Sequence, residues 1–287
     1  MERLRKAVRR ALVRFVRTTP VGAASAVLLL AMSLTALLAT HLAPFDPLET
    51  NYASTRRPPS AEHWLGTDHL GRDTLSRIIH GARVTLLVAL ASVAVGDTAG
   101  LLWGVLSGYL GGRFDLFSQR FLDILMAFPT LILAMLLMIG LGQGLHTVIV
   151  AIAVTRVPIA TRIIRSVVLS VKELPYVEAV RAAGASAWRI MQHHIAPQCM
   201  ASFLVVVSAH LGIAIFTESA LSFLGLGVPP PHPSWGNMLG GVLAESFKPP
   251  WWMVVCPGAA ITLTILATNL FGDGFRDYLD PKLRGQL

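Results

Sequence analysis

The run VGAASAVLLLAMSLTALLAT occupies residues 21–40 and contains no charged side chain. A helix needs about 20 mostly apolar residues to cross roughly 30 Å of hydrocarbon, so this run is long enough to span a membrane. Membrane-spanning strands are about 10 residues long and alternate in polarity, which this run does not. The sequence therefore predicts an all-α integral membrane protein with six transmembrane helices. The other five apolar runs are residues 85–109, 120–141, 145–164, 199–224 and 251–271.

The composition of the 287 residues excludes several other classes of protein. Hydrophobic residues make up 54% of the chain and Asp, Glu, Lys and Arg only 14%, whereas about 25% charged residues is usual in soluble domains. So few charges cannot cover the surface of a soluble protein of this size, and so apolar a chain is not intrinsically disordered. The two cysteines, Cys199 and Cys256, are too few for a disulfide framework.

The distribution of basic residues predicts how the chain lies in the membrane. With the N-terminus inside, the inside segments hold 17 Lys and Arg residues and the outside segments hold 6. This excess places both termini in the cytoplasm. The net charge of +8 is then largely a topology signal. No aromatic-rich basic groove accompanies it, so we expect no nucleic-acid partner.

The predicted spans divide the chain into five segments. Residues 1–20 are expected to form a basic amphipathic segment on the cytoplasmic leaflet, because Leu4, Val8, Leu12 and Phe15 recur at helical spacing among arginines. A charge cluster that only sets the topology is the alternative. Residues 21–41 form an uncleaved anchor, since the apolar run is longer than that of a signal peptide and no cleavage site follows it. The external segment, the five-helix core and the cytoplasmic tail are residues 42–82, 83–272 and 273–287.

The segment between the fourth and fifth spans has the pattern of a short helix-turn-helix. Helix-forming residues run up to Gly184 and resume after it until Pro197, which we expect to end the second helix. Gly184 is placed to cap the first helix, since glycine adopts positive φ at little cost. Small side chains at Ala179, Ala182 and Ala183 would let another surface approach the backbone. The pattern favours a docking element for a partner protein, and a solvated loop helix is the alternative.

This segment resembles the EAA loop of ABC importer permeases. Glu178 and Ala179 are followed by Gly184, with Pro197 thirteen residues later. Three further stretches resemble signatures of the dipeptide, oligopeptide and nickel branch of that family. They are LGTDHLGRDTLSRIIHGAR at 65–83, ESALSFLGLG at 218–227 and GDGFRDYLDPKLR at 272–284. Together the four motifs cover nearly the whole chain, which is similar to the second permease subunit of such importers.

The resemblance implies a type I ABC importer permease fold in the bacterial cytoplasmic (inner) membrane. Residues 172–198 would be the coupling loop, and the residues implied to contact an ATPase are Glu178, Ala179, Ala182, Ala183, Gly184 and Pro197. The implied partners are a second homologous permease, two ATP-binding-cassette ATPases, an external substrate-binding protein and membrane lipid. ATP and Mg²⁺ would bind to the ATPases and no cofactor to this chain. Short peptides are the favoured substrates, ahead of nickel chelates, glutathione and sugars.

Three ionisable residues inside the predicted spans stand out as candidate sites, because a charge there costs ~2.5–3.5 kcal/mol on insertion scales. Asp97 and Arg156 lie 12 and 11 residues from the outer starts of their spans, so we expect them to pair across the bundle. Glu218 lies near the outer end of the fifth span. All three are candidate pathway or gate residues, and a hydrogen bond to another subunit is the alternative for Glu218.

Glycines recur every four residues in the second span. Such a pattern favours close packing against a neighbouring helix, and a lining of the translocation path is the alternative. The glycines are Gly96, Gly100, Gly104, Gly108 and Gly112.

The sequence lacks the motifs of several catalytic classes. It contains no P-loop, no His-Glu-x-x-His and no Gly-x-Ser-x-Gly. His193 and His194 are adjacent and would point about 100° apart on a helix, so we expect no metal site. We therefore expect a subunit that is not an enzyme. A stand-alone secondary transporter or channel is the alternative, although the inverted repeats typical of transporters are not visible.

Overall fold

The computed structural model of this chain describes residues 14–245 and 247–279, and most of these residues are helical. Within these ranges no β-strand forms beyond one isolated bridge between Thr67 and Asp73. In the described part of the chain, five helices are long and apolar enough to cross a membrane, and two shorter helices joined at a sharp bend make a sixth crossing if they count as one span. The predicted all-helical, multi-pass fold is therefore confirmed.

Parts of two predicted segments lie outside the described residues. They include Leu4, Val8 and Leu12 of the amphipathic segment and residues 280–287 of the tail. The described helices are α1 (Pro20–Leu37), α2 (Ala39–Leu42), α3 (Thr74–Leu110), α4 (Gly112–Met126), α5 (Thr130–Leu141), α6 (Leu145–Val171), α7 (Pro175–Ala182), α8 (Ala187–Ile190), α9 (Ala196–Phe223), α10 (Trp235–Glu245) and α11 (Trp251–Leu279).

Helix α3 packs against more of the bundle than its neighbours do, with α6, α9 and α1 around it. It has 37 residues and is therefore about 55 Å long. Its N-terminus is capped by Asp73, whose carboxylate accepts a bond from the Ser76 N–H at 2.8 Å. Its C-terminus ends at Gly111, which has a φ of +63°. A helix longer than the hydrocarbon core carries the chain well beyond the membrane at one or both ends.

The glycines of α3 bring it into close contact with α6. A Cβ atom on Gly96 would lie 2.5 Å from the carbonyl oxygen of Ala153, and Gly100, Gly104 and Gly108 face α6 in the same way. The expected close packing is confirmed for these four residues. Gly112 differs, because it begins α4 with a φ of +56° and a Cβ there would meet nothing within 4 Å.

The predicted third span is not a single helix. Helices α4 and α5 replace it and are bent by 91° relative to one another. Pro129 separates them, because proline has no N–H to donate and disfavours the helical conformation of the residue before it. Arg165 of α6 fixes α4 through a two-point ion pair with Asp115, in which Nε lies 2.6 Å from Oδ1. The expectation of one straight helix over residues 120–141 was wrong.

Helix α9 continues the helical path that starts at Ala187. Residues Met191–Ile195 form one π-helical turn between α8 and α9, closed by the Ala196 N–H, which donates to the Met191 carbonyl. Pro197 lies in the first turn of α9. The expectation that Pro197 ends the second helix was therefore wrong. Proline has no N–H group and cannot donate a backbone hydrogen bond within a helix. The wider π turn changes the pattern of backbone hydrogen bonds just before Pro197, where that bond would be missing.

The end of the bundle that holds residues 43–73, 224–245 and 247–250 is called the distal end. Helix α10 packs there on α9, since a Cβ on Gly236 would lie 2.3 Å from the Ser219 carbonyl oxygen. Two buried tryptophans join the segments: Trp235 Nε1 donates to the Ile78 carbonyl at 2.9 Å, and Trp252 Nε1 donates to the Thr67 carbonyl at 3.2 Å. The distal end thus contains a helix, α10, that packs on the spanning helix α9.

Candidate functional site

Helices α7 and α8 form the predicted helix-turn-helix, here called the hairpin. Gly184 ends α7 with a φ of +84°. The Gly184 N–H donates to the Arg181 carbonyl at 3.0 Å, and the Ala185 N–H donates to the Val180 carbonyl at 3.3 Å. These two bonds define a Schellman motif, in which the left-handed position favours glycine. Ser186 caps α8 by accepting a bond from the Arg189 N–H. The predicted role of Gly184 in the turn is confirmed.

An apolar cluster attaches the hairpin to three spanning helices. Val177 and Ile190, one from each hairpin helix, are 0% and 1% exposed. Fully burying such a side chain is worth about 1.5–3 kcal/mol, so the hairpin is held firmly to the bundle. The buried cluster consists of Val105 from α3, Ile164 and Val168 from α6, Val177 from α7, Ile190 from α8, Met191 and Ile195 from the π turn, and Cys199 from α9.

The predicted coupling residues lie on the open side of the hairpin. Five of them lie on α7 or in the turn that follows it, and all are exposed in this chain: Glu178, Ala179, Ala182, Ala183 and Gly184. Pro197 is also exposed, but α8 and the π turn separate it from the others. Trp188 of α8, which sequence reasoning did not single out, is 59% exposed and adds a large apolar side chain to this surface. The hairpin therefore presents a small-residue surface for contact while its opposite face is buried.

Asp97 pairs with a residue that sequence reasoning missed. Asp97 Oδ1 lies 2.7 Å from Nδ1 of His210, and both side chains are almost fully buried. The pair joins α3 to α9 in the interior of the bundle. The available signal was His210 itself, an ionisable ring inside the predicted fifth span, since intramembrane ionisable groups usually have a partner.

Arg156 does not form the expected ion pair with Asp97. Within the described residues, its Nε bonds to Thr155 Oγ1 at 3.2 Å and its Nη2 has no hydrogen-bond partner. The Asp97 carboxylate instead lies against His210 and is not within ion-pair distance of Arg156. Matching depth along two helices was insufficient to predict contact, because the direction of each side chain around its helix also matters.

Glu218 lies wholly inside the chain, at 0% exposure. Its carboxyl group accepts hydrogen bonds from Ser222 at 2.8 Å and Ser219 at 3.4 Å, both on α9. Both hydrogen bonds lie within α9, so the buried carboxyl group of Glu218 is held by hydroxyls of its own helix. Its assignment to the pathway or gate stays a prediction, as do those of Asp97 and Arg156.

The fold defines a class of protein, namely a multi-pass helical membrane component with an exposed helical hairpin between two spanning helices. A family model described as "Binding-protein-dependent transport system inner membrane component" matches residues 100–285. The chain belongs to this family and is a permease component of an ABC importer in the inner membrane.

Several characterised relatives are similar over nearly their whole length. The chain is 39% identical to the probable D,D-dipeptide transport system permease protein DdpC of Escherichia coli K12, over 96% of this chain and 92% of the relative. It is 43% identical to the di/tripeptide transport system permease protein DppC of Pseudomonas aeruginosa, over 87% and 84%. It is 40% identical to the oligopeptide transport system permease protein OppC of Bacillus subtilis, over 96% and 89%.

Solved structures support the fold. The chain matches the inward-facing MetNI methionine ABC transporter with a TM-score of 0.58 and 18% identity, over 72% of this chain and 97% of that chain. An amino acid ABC transporter crystallised with histidines matches with a TM-score of 0.54 and 16% identity, over 70% and 94%. At these identities the likeness concerns the fold alone.

Proposed function

We propose that this chain forms half of the translocation pathway for di- or oligopeptides in an ATP-driven importer. A second, homologous permease supplies the other half, two ATPase subunits bind ATP and Mg²⁺, and an external binding protein delivers the substrate. The names of the peptide-permease relatives support the substrate class. The chain carries out no bond chemistry itself and acts by changing the access of the pathway.

The observation that carries the proposal is the two-sided character of the hairpin. Its exposed side presents Glu178, small residues and Trp188, whereas its buried side packs on α3, α6 and α9. A displacement imposed on the exposed side by an ATPase is transmitted to these helices, because close-packed contacts move together rather than deform continuously. Motion of the ATPases thereby opens and closes the pathway.

Crosslinking tests the docking role. In a variant with Cys256→Ser and Ala183→Cys, we expect a maleimide reagent with a photoreactive group, attached at residue 183, to crosslink to an ATPase subunit in the assembled complex. Cys199 is buried and should not compete. The matched control is Glu62→Cys, an exposed position at the distal end, which should give no ATPase crosslink. A chain that assembles with its partners but crosslinks from residue 62 and not from residue 183 would contradict the proposal.

The same two variants test the orientation predicted from the basic residues. In intact cells or spheroplasts, a membrane-impermeant maleimide should label residue 62, and it should label residue 183 only after the membrane is permeabilised. Labelling in the reverse order would place the hairpin outside and overturn the predicted cytoplasmic termini.

Uptake into proteoliposomes tests the substrate class. The complete complex, with its binding protein outside the vesicle and ATP inside, should accumulate a labelled dipeptide. A complex that contains this chain with a disrupted hairpin should not. Uptake of a nickel chelate or a sugar in place of peptides would refute the peptide assignment and leave the importer class intact.

A further inference from the structure

A cavity of about 320 Å³ lies at the distal end, far from the hairpin. It is formed between the segment before α3 and the region of α10, so two parts of the chain more than 150 residues apart share it. Its volume is at the lower end of the roughly 300–1,000 Å³ of small-molecule sites. A neighbouring cavity of about 1110 Å³ shares Pro230, Pro231 and His232 with it. The smaller cavity therefore opens beside a wider cleft through which a ligand could arrive.

The charged groups on the wall of the smaller cavity are two arginines and one aspartate. Arg72 Nε lies 2.7 Å from Asp68 Oδ2, and Arg77 Nε lies 3.4 Å from the same oxygen. One carboxylate thus faces two guanidinium groups, and the fixed charge of these three residues is positive. Among the described residues, the Nη groups of Arg72 have no acceptor, whereas Nη1 of Arg77 donates to the Pro47 carbonyl at 3.1 Å. A guanidinium with free N–H groups matches the geometry of a carboxylate.

A third feature of the wall is an unused hydroxyl group. Thr74 lines the cavity and is 1% exposed, yet its Oγ1 has no hydrogen-bond partner within the described part of the chain. A buried hydroxyl left without a partner is costly, and a bound molecule that accepts its hydrogen bond is one way to remove that cost. The hydroxyl can donate to an anion that also contacts the arginines.

From these three observations we propose that the cavity binds the terminal carboxylate of a short peptide. Arg72 and Arg77 neutralise the carboxylate, and the Thr74 hydroxyl donates a hydrogen bond to it. The apolar part of the wall, which includes Leu70, Met238 and Met253, receives the adjoining side chain. The site holds the peptide at the entrance of the pathway. This inference rests on the proposed peptide substrate.

Equilibrium binding tests the site directly. The purified complex of both permeases and both ATPases, without the binding protein, is placed in lipid nanodiscs and titrated with labelled L-alanyl-L-alanine. We expect saturable binding that unlabelled L-alanyl-L-alanine displaces. The C-terminal amide of the same dipeptide, which has the same size and no carboxylate, should compete at least roughly tenfold less well, as expected for loss of a charge-assisted bond.

Substitutions of Thr74 test whether the hydroxyl group contributes to ligand binding separately from protein stability. Thr74→Val removes a group that makes no bond in the protein, so the melting temperature should be unchanged or higher while affinity falls roughly tenfold. Thr74→Ser keeps the hydroxyl and should bind as the wild type does. The matched control is Thr161→Val, which removes another buried hydroxyl without a partner in the described residues, on α6 beside Gly104. Its affinity for the dipeptide should not change.

Three results would each overturn the proposed site. They are equal dipeptide affinities of the wild type and Thr74→Val, equal competition by the dipeptide and its amide, and no dipeptide binding to the wild-type complex. Uptake with the binding protein present distinguishes this failure from failure of the proposed function. If the wild-type complex imports the dipeptide and Thr74→Val leaves its KM unchanged, the function stands and the site does not. If the wild type imports no peptide, the substrate class itself is wrong.

Discussion

The phenol of Tyr176 donates a hydrogen bond to the backbone carbonyl of His194, with 3.2 Å between the two oxygen atoms. Tyr176 belongs to α7, and His194 lies in the π turn that precedes α9. The bond therefore ties the first helix of the hairpin to the start of a spanning helix, outside the apolar cluster that joins them elsewhere. It also satisfies a carbonyl in a turn whose regular helical bonding is altered.

Tyr176→Phe removes this bond and keeps the ring. We expect a local loss of about 0.5–1.5 kcal/mol, since the bond is neutral and partly exposed. Amide hydrogen exchange in residues 176–195 should become faster, and the number of substrate molecules moved per ATP hydrolysed should fall. Tyr109→Phe is the control, because no hydrogen bond of the Tyr109 hydroxyl is formed within the described residues. Equal exchange rates in both variants would show that the Tyr176 bond does not hold the hairpin.

The turn at Gly184 predicts how coupling responds to substitution. Gly184→Val forces a β-branched residue into a left-handed conformation, at a cost of about 1–3 kcal/mol, and should distort the exposed surface of the hairpin. We expect the assembled complex to hydrolyse ATP without stimulation by substrate and to transport little. Gly184→Asn should retain most of the transport, because asparagine tolerates positive φ.

Normal substrate-stimulated ATPase activity and transport in the Gly184→Val variant would contradict a coupling role for this turn. The space around the glycine is not the limit, since a Cβ there would meet nothing within 4 Å of the same chain. Gly184→Val should therefore change the stability of the isolated chain less than it changes the substrate-stimulated ATPase activity of the complex.

The Asp97–His210 pair predicts a measurable interaction energy. In a double-mutant cycle with Asp97→Ala and His210→Ala, we expect a coupling of about 1.5–3 kcal/mol in the free energy of unfolding, as for hydrogen bonds that involve a charged group. The corresponding cycle with Asp97→Ala and Arg156→Ala should give a smaller coupling, because those side chains are not in contact. Unfolding in mixed micelles measures both cycles. A larger coupling with Arg156 would restore the pair expected from helix depth alone.

The contact between α3 and α6 predicts a large effect of a single methyl group. Gly96→Ala places a Cβ against the backbone of Ala153, which cannot move aside as a side chain can. Overpacking of this kind costs about 1–3 kcal/mol and should lower the melting temperature. Gly140→Ala on α5 is the control, because nothing lies within 4 Å of the added atom. A thermal shift assay should leave that variant unchanged or slightly stabilised, and similar losses in both variants would argue against tight packing at Gly96.

Local patterns in the sequence predicted several features that the structure confirms. Gly184 was placed correctly because a helix end with a positive-φ residue is determined by neighbouring residues. The glycines from Gly96 to Gly108 were recognised because their spacing puts them on one face of a single helix. Each of these signals is contained within one element, and no knowledge of distant residues is needed to interpret it.

The incorrect predictions concern where helices break and which side chains meet. Hydropathy alone joined α4 and α5 into one predicted helix, although Pro129 separates them. Pro197 was expected to end a helix, although a π turn lets the helical path continue past it. Asp97 was predicted to pair with Arg156 because the sequence indicates only the depth of each residue along its span. The direction in which each side chain points around its helix instead places His210 beside Asp97.

The sequence by itself determined that the chain crosses the membrane as helices, that a helix-turn-helix separates two spans and that glycine forms its turn. These features follow from hydrophobicity and backbone conformation, which act over a few neighbouring residues. Only the tertiary structure decided that the hairpin packs on α3, α6 and α9, that Asp97 meets His210, and that Arg72, Arg77 and Thr74 share one cavity with residues near α10. Such contacts depend on the relative rotation and offset of packed helices, which the close fit of side chains fixes and a linear pattern does not contain.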